Sequence, residues 1–522
     1  MIDSAVFEAI PFTVTRNEVE PHAAYKESFF AVPTTGLRNA PEELVLELFR
    51  EVFFGANRHT GTPVDTKQRN LDPDTLLIGN EARAVLYSLR GRTKRRASAT
   101  KSNQTNHYYA PAFPRLAAHG WFRKQSDVAL RQLLLDGALA SSLSPSDRQR
   151  EANELANQTV VALDGGALEP RDLLHIAANA AELPPEMFGT EQATSWLAER
   201  FQRSKFAIPS GLNGSSPDGL AIHIANDWRA ICRLEPKIPR LEWIQVLKAF
   251  LCVSAGMWLL AQMRMTAIVR DALREGLCGG PLPDPEGFSA RIGSRNIGLL
   301  DPTETLCNPI PTRVAEFMAA RVELNALLHA GAANGSVAQV LEGRILSTFA
   351  GSGLLPVTEL SRALQEAFPG EQGEELLRGV QRASEGAKAW RDPLAQGTTG
   401  NNLDEFLRVL TDDRADSTDN GFLLHRAPTV QRLYRVFPSS RLLSLFAHLA
   451  AVDQDGRVAR VVPLSRIERH FGEYGIDFAR AGGARTDLIK RLEQLGLLRG
   501  APDAGSAVMV SVEYTSSVGG GN

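Results

Sequence analysis

Residues 82–126 carry ten cations and no aspartate or glutamate: Arg83, Arg90, Arg92, Lys94, Arg95, Arg96, Lys101, Arg115, Arg123 and Lys124. The rest of the 522-residue chain holds 47 basic and 60 acidic residues, so the block is a +10 island in an otherwise acidic protein. A local field of this kind attracts polyanions. His107, Tyr108, Tyr109, Phe113, Trp121 and Phe122 follow its densest part. Rings stack on bases while guanidinium and ammonium groups neutralise phosphates, so the pattern suits single-stranded or distorted nucleic acid. Arg90, Arg92, Lys94, Arg95, Arg96, Lys101, Tyr108 and Tyr109 are its candidate nucleic-acid contacts. The competing reading is a solvated loop beside aromatics that belong to the core, and an acidic protein surface would satisfy the same charge. The stretch RGRTKRRASATKSNQTN lacks apolar periodicity and reads as a mobile loop.

Catalytic patterns are missing from the sequence. It has no G-x-x-x-x-G-K-[ST] phosphate loop, no H-E-x-x-H, no G-x-S-x-G and no G-x-G-x-x-G following a strand. The ten histidines are scattered, and each reads as a surface or satisfied core histidine. Glu235-Pro236-Lys237, with Asp227 upstream, has the outline of a nuclease metal site, but Pro236 would spoil the strand that such a site needs. Asp72-Pro73-Asp74 and Asp412-Asp413 fit turn chemistry better than catalysis. No catalytic residue, metal or cofactor is therefore expected, although a site assembled from distant residues would escape this reading. Cys232, Cys252, Cys278 and Cys307 lie 20, 26 and 29 residues apart, too far for a C-x2-4-C zinc pattern, and read as buried thiols in a reducing compartment.

The elements that must position these residues are mostly helical. The length implies about two to four domains. Helical periodicity is expected over 41–54, 81–89, 127–135, from Pro145 onward, 170–181, 191–201, 220–234 and about 241–275. It resumes over 312–329, 337–349, 358–368, 371–390 and 403–410. Gly276 to Pro311 is dense in Gly and Pro and reads as a linker. The expected layout is a mixed N-terminal region 1–125 containing the basic block, a helical domain 126–275, the linker 276–311 and a helical domain 312–391. A polar linker with short helices, 392–438, a C-terminal domain 439–514 and a disordered tail 515–522 complete it. In the most apolar segment, Ile244 to Ala261, Lys248 leaves only 15 uncharged residues to Met263, short of the ~20 that a bilayer crossing takes. With no cationic N-terminal leader, a cytoplasmic chain without membrane association is expected.

Residues 439–514 have a particular order. Ser439 caps a helix with Leu442, Leu445, Phe446 and Leu449 on its core face, and Arg457–Val462 is a short strand. Leu464, Ile467 and Phe471 mark a second helix, and Arg485–Leu495 a third. Val508, Val510 and Val512 alternate as in a strand with one buried face. The string DLIKRLEQLGLLRGAPDAGSAVMVSVEY resembles the third helix and wing of the winged-helix superfamily, over about a seventh of the chain. Together with the helical periodicity of the rest, the resemblance implies a mainly α, multidomain chain: a helical body with a C-terminal winged-helix domain. Its third helix would meet either a DNA major groove or a protein partner. Ten Lys/Arg against nine Asp/Glu decide little between the two. Arg485, Thr486, Lys490 and Arg491 are the candidates on that helix. In organisation the chain resembles non-catalytic accessory subunits of bacterial DNA-processing or anti-phage defence complexes, which work beside a separate ATPase or nuclease. Nucleic acid and such a protein are thus the expected partners. A protein–protein scaffold and an enzyme with a hidden site remain alternatives.

Overall fold

The computed structural model describes residues 90–94, 105–109, 154–155, 158–159, 220–234, 238, 240–281, 298–303, 309–332, 334–337, 355–386, 391–395, 398–412, 421–426, 433–453, 456–479, 482–499 and 508–512. The helices expected over 41–54, 81–89, 127–135, 170–181 and 191–201 lie outside these residues, as do the tail 515–522 and the 337–349 helix beyond Val337. Of the helix expected from Pro145 only 154–155 and 158–159 are described, and they are helical. Of the described residues 72% are helical, so the chain is mainly α.

In chain order the elements are β1 (Arg90–Lys94), β2 (Thr105–Tyr109), α1 (Leu220–Leu234), α2 (Arg240–Leu277) and α3 (Pro309–Ala332). Then come α4 (Leu355–Ala367), α5 (Glu371–Gly386), α6 (Thr399–Leu407), a 3-10 turn (Arg408–Leu410), β3 (Leu424–Arg426) and β4 (Tyr434–Val436). The C-terminal part runs α7 (Ser440–Ala451), β5 (Val461–Pro463), α8 (Leu464–Glu473), α9 (Gly482–Gln494), β6 (Leu498–Arg499) and β7 (Met509–Ser511).

Helix α2 organises the body. Of its 38 residues, all from Val246 to Val269 are buried except the half-buried Arg264, so this stretch is covered on every side. α1, α3, α4 and α7 supply the cover. Lys248 does not end it and is itself buried, and by length and composition alone the span Glu242–Leu277 would suffice to cross a bilayer. Inside this protein, 94% of its most apolar window is buried. Trp228 on α1 and Trp243 on α2 bury their rings and place both indole N–H groups, on Thr159 Oγ1 at 2.9 Å and on the Ile231 carbonyl at 2.7 Å. Cys252 is buried as expected, but Cys232 is half-buried and Cys278 is exposed beyond the end of α2. Burial pushes the Cys232 thiol up to about 11.

Several boundaries differ from the sequence reading, each for a local reason. α3 begins at Pro309 and not Thr312, because Pro309 and Pro311 fall in the first turn, where a missing N–H breaks no bond. α6 begins at Thr399, four residues early, because the Thr398 hydroxyl accepts from the Asn401 N–H and caps it. Within the stretch read as a linker, Leu299 and Leu300 are buried, and the Leu299 N–H donates to the Gly475 carbonyl at 3.1 Å. β3 pairs with β4 in the region read as polar linker and short helices. The basic block is not all loop: β1 pairs antiparallel with β2.

In the C-terminal part Ser439 Oγ accepts from the Leu442 N–H at 3.3 Å, so α7 starts where its cap predicts. β5, β7 and β6 form an antiparallel sheet in that spatial order, with Val510 of β7 opposite Val462 and Leu498. Leu488 and Leu492 of α9 are buried. Buried apolar side chains from Leu155 to Val512 make one continuous core.

Candidate functional site

The candidates of the basic block divide. Arg90, Arg92 and Lys94 occupy alternate positions of β1, opposite Tyr109, His107 and Thr105 of β2, while Tyr108 lies opposite Gly91. The three cations thus hold alternate register positions of β1. Arg95, Arg96 and Lys101 lie outside the described residues.

On α9 the four candidates have different surroundings. Lys490 and Thr486 are exposed, and the Thr486 hydroxyl donates back to the Gly482 carbonyl at 3.0 Å. Arg485 pairs through Nε with the buried Glu468 carboxylate of α8. Arg491 donates to Ser440 Oγ at 2.7 Å and to Gln494 Oε1 at 3.1 Å, with its guanidinium 5.7 Å from the Phe437 ring centre. Two of the four therefore hold α9 against its neighbours.

A second site, absent from the sequence reading, lies where α1 meets α7 and α8. A cleft of about 630 Å³ opens there, lined among others by His223, Asp227 and His470, by Arg229, Arg233, Arg466 and Arg469, and by Asp453 and Glu473. Two four-residue spacings build it. His223 and Asp227 share one face of α1, and His470 and Tyr474 share one face at the end of α8. Phe446 of α7 backs them, its ring centre 5.1 Å from that of His470 and 4.9 Å from that of Tyr474.

All of this converges on one oxygen. Asp227 Oδ2 accepts from the Tyr474 hydroxyl at 2.9 Å and lies 3.2 Å from His470 Nε2 and 3.5 Å from His223 Nε2. Asp227, His470 and Tyr474 are buried, and His223 is partly exposed to the cleft. Burial by itself would raise the Asp227 carboxyl, but His470, His223 and the Tyr474 hydroxyl outweigh it and hold the group below its ordinary value of 3.8. Burial first, and the Asp227 charge second, push the Tyr474 hydroxyl well above its ordinary value, so it stays protonated and donates. His223, Asp227 and His470 each offer one ligand atom, all within 4.8 Å of one another, a set that could hold a metal ion.

Only a fragment of this arrangement is visible in sequence, the His-x-x-x-Asp spacing of α1. Its partner hydroxyl on Tyr474 is 247 residues away along the chain. Asp227 belongs to this cluster; the Glu235–Lys237 stretch lies outside the described residues. Compared with protein-family models, with curated proteins and with solved structures, the chain matches none.

Proposed function

We propose that the chain binds nucleic acid, as an accessory subunit beside a separate ATPase or nuclease in a bacterial DNA-processing or defence complex. Residues 439–514 are its winged-helix domain in this reading. The observation that carries the binding is the β1–β2 ladder, where Arg90, Arg92 and Lys94 alternate along one strand at positions paired with Tyr109, His107 and Thr105. A cationic ribbon with aromatic neighbours neutralises phosphates and offers rings to bases. The winged-helix assignment is supported by the order α7, β5, α8, α9, β6, β7 and by the sheet order β5-β7-β6. Because Arg485 and Arg491 are engaged by neighbouring side chains, phosphate contact is assigned chiefly to the ladder, and the exposed face of α9 orients the chain or meets a partner.

The test is fluorescence anisotropy on single- and double-stranded DNA across a salt series. The variants are Arg90→Ala/Arg92→Ala/Lys94→Ala together and Lys490→Ala alone. If the three cations each meet a phosphate, the slope of log affinity against log salt on single strands becomes shallower by about 2 in the triple variant, at roughly 0.7 per contact. Lys490→Ala leaves that slope nearly unchanged. Absence of binding to any DNA form at low salt removes the nucleic-acid reading and leaves the scaffold reading in its place.

A further inference from the structure

The cleft between α1 and α8 gathers groups that nucleic-acid binding does not call for. Three polar groups approach a single carboxylate oxygen of Asp227, at 2.9 Å from Tyr474, 3.2 Å from His470 and 3.5 Å from His223. One carboxylate oxygen has about two lone-pair sites, too few for three donors. His470 is only 6% exposed, yet its Nε2 makes no hydrogen bond of acceptable geometry, its approach to Asp227 being an ion-pair distance alone. A buried imidazole nitrogen left in that condition is an unmet demand. An ion seated among the three groups meets it, receiving one lone pair from each imidazole and one from Oδ2 while the other Oδ2 site keeps the Tyr474 hydrogen bond.

The spacing fits such an ion. Zinc bonds of about 2.0–2.1 Å in a tetrahedron set neighbouring ligand atoms about 3.3–3.4 Å apart. The two measured separations from Oδ2, 3.2 and 3.5 Å, bracket that edge length. All three ligand atoms fall within 4.8 Å of one another. Two imidazoles and one carboxylate are a donor set suited to Zn²⁺ and its borderline neighbours and poorly suited to Ca²⁺ or Mg²⁺, which take oxygen. Tyr474 then acts on the carboxylate from outside, fixing which lone pair faces the ion.

We propose that His223, Asp227 and His470 form a binding site for a divalent transition metal of the zinc class, with its fourth position open to the cleft. Three protein ligands and one open position are the arrangement of zinc sites that bind water or a further ligand. Arg229, Arg233, Arg466 and Arg469 among the cleft walls give that position an anionic preference. The ion also ties α1 to α8, and so the helical body to the C-terminal part.

The site stands or falls without reference to nucleic acid. The full chain, stripped by chelator and dialysed, is titrated with Zn²⁺ by calorimetry and with Co²⁺ by visible absorption. One ion per chain is expected, with the intense d–d bands of four- or five-coordinate Co²⁺. Tyr474→Phe keeps that stoichiometry and weakens binding by about 10–100-fold, the usual effect of removing an outer partner. His470→Gln and His223→Gln weaken it further and lose the bands. His223 is partly exposed, so its variant keeps the fold, checked by far-UV circular dichroism, and decides the matter should the buried His470→Gln unfold. No saturable Zn²⁺ binding by the wild-type chain overturns the proposal, and so does a folded His223→Gln that binds Zn²⁺ and colours Co²⁺ as the wild type does.

Discussion

At the scale of single residues the energetic question is why Asp227 stays ionised while buried. Desolvation opposes it, and the favourable neighbours are His470, His223 and the Tyr474 hydroxyl. The Tyr474 hydroxyl lies nearest to it, at 2.9 Å. Tyr474→Phe keeps the ring against Phe446 and removes only that donor. Urea denaturation of the metal-free chain at neutral pH is expected to show a loss of about 1.5–3 kcal/mol, the usual worth of a hydrogen bond to a charged group. A change below roughly 0.5 kcal/mol, within the range of neutral surface substitutions, means Asp227 does not depend on that bond. The site was only half legible beforehand. His223 and Asp227 sit four residues apart in a stretch whose helical period is plain, so their shared face can be read from sequence. His470 on α8 and Tyr474 just past its end share the same spacing, but nothing local says that α8 meets α1. That meeting depends on long-range packing through Phe446, which no periodicity encodes.

At the scale of elements the informative positions are chain reversals. α8 ends as Gly475 turns to φ +76°, and segment 298–300 packs onto the turn, Leu300 bridging to Ile476. A Cβ on Gly475 would stand 2.8 Å from the Leu299 side chain. Gly496, at the end of α9, has a similar φ of +68° with nothing within 4 Å of such a Cβ. The left-handed conformation costs a non-glycine residue about 1–2 kcal/mol, so that much is expected for Gly496→Ala. Gly475→Ala carries the same strain plus the displacement of Leu299, and equilibrium urea unfolding should find it the more destabilising of the two. Equal losses would mean that segment 298–300 yields freely. This contact also shows what sequence conveys about elements. The α1 span, 220–234, agrees to the residue because its apolar face is periodic. β1 escapes notice because Arg90, Arg92 and Lys94 alternate as cations, and the period-2 signal is sought in apolar residues. The proline-rich stretch reads as linker throughout because Pro density cannot distinguish a loop from the first turn of α3.

At the scale of the whole molecule the sequence suggests a body and a separate C-terminal domain, while the side chains form one core. α7 packs against α1 and α2 as well as α8, and Tyr474 reaches back to Asp227. Leu442 at the start of α7 is fully buried within that core. If the core is energetically one, a cavity opened in α7 must be felt along α2. Leu442→Ala should remove about 2–5 kcal/mol. In hydrogen exchange read by mass spectrometry, slow-exchanging peptides from 240–277 and from 440–451 report the opening that exposes each helix. Both sets are expected to lose protection in Leu442→Ala, and by similar factors, because they open together. An independent C-terminal domain gives another pattern: faster exchange confined to 440–512, with α2 unchanged. That outcome would make the α1–α8 cleft a contact between two separately stable units, in which a bound metal at His223, Asp227 and His470 changes how tightly they associate and leaves the stability of each as it was.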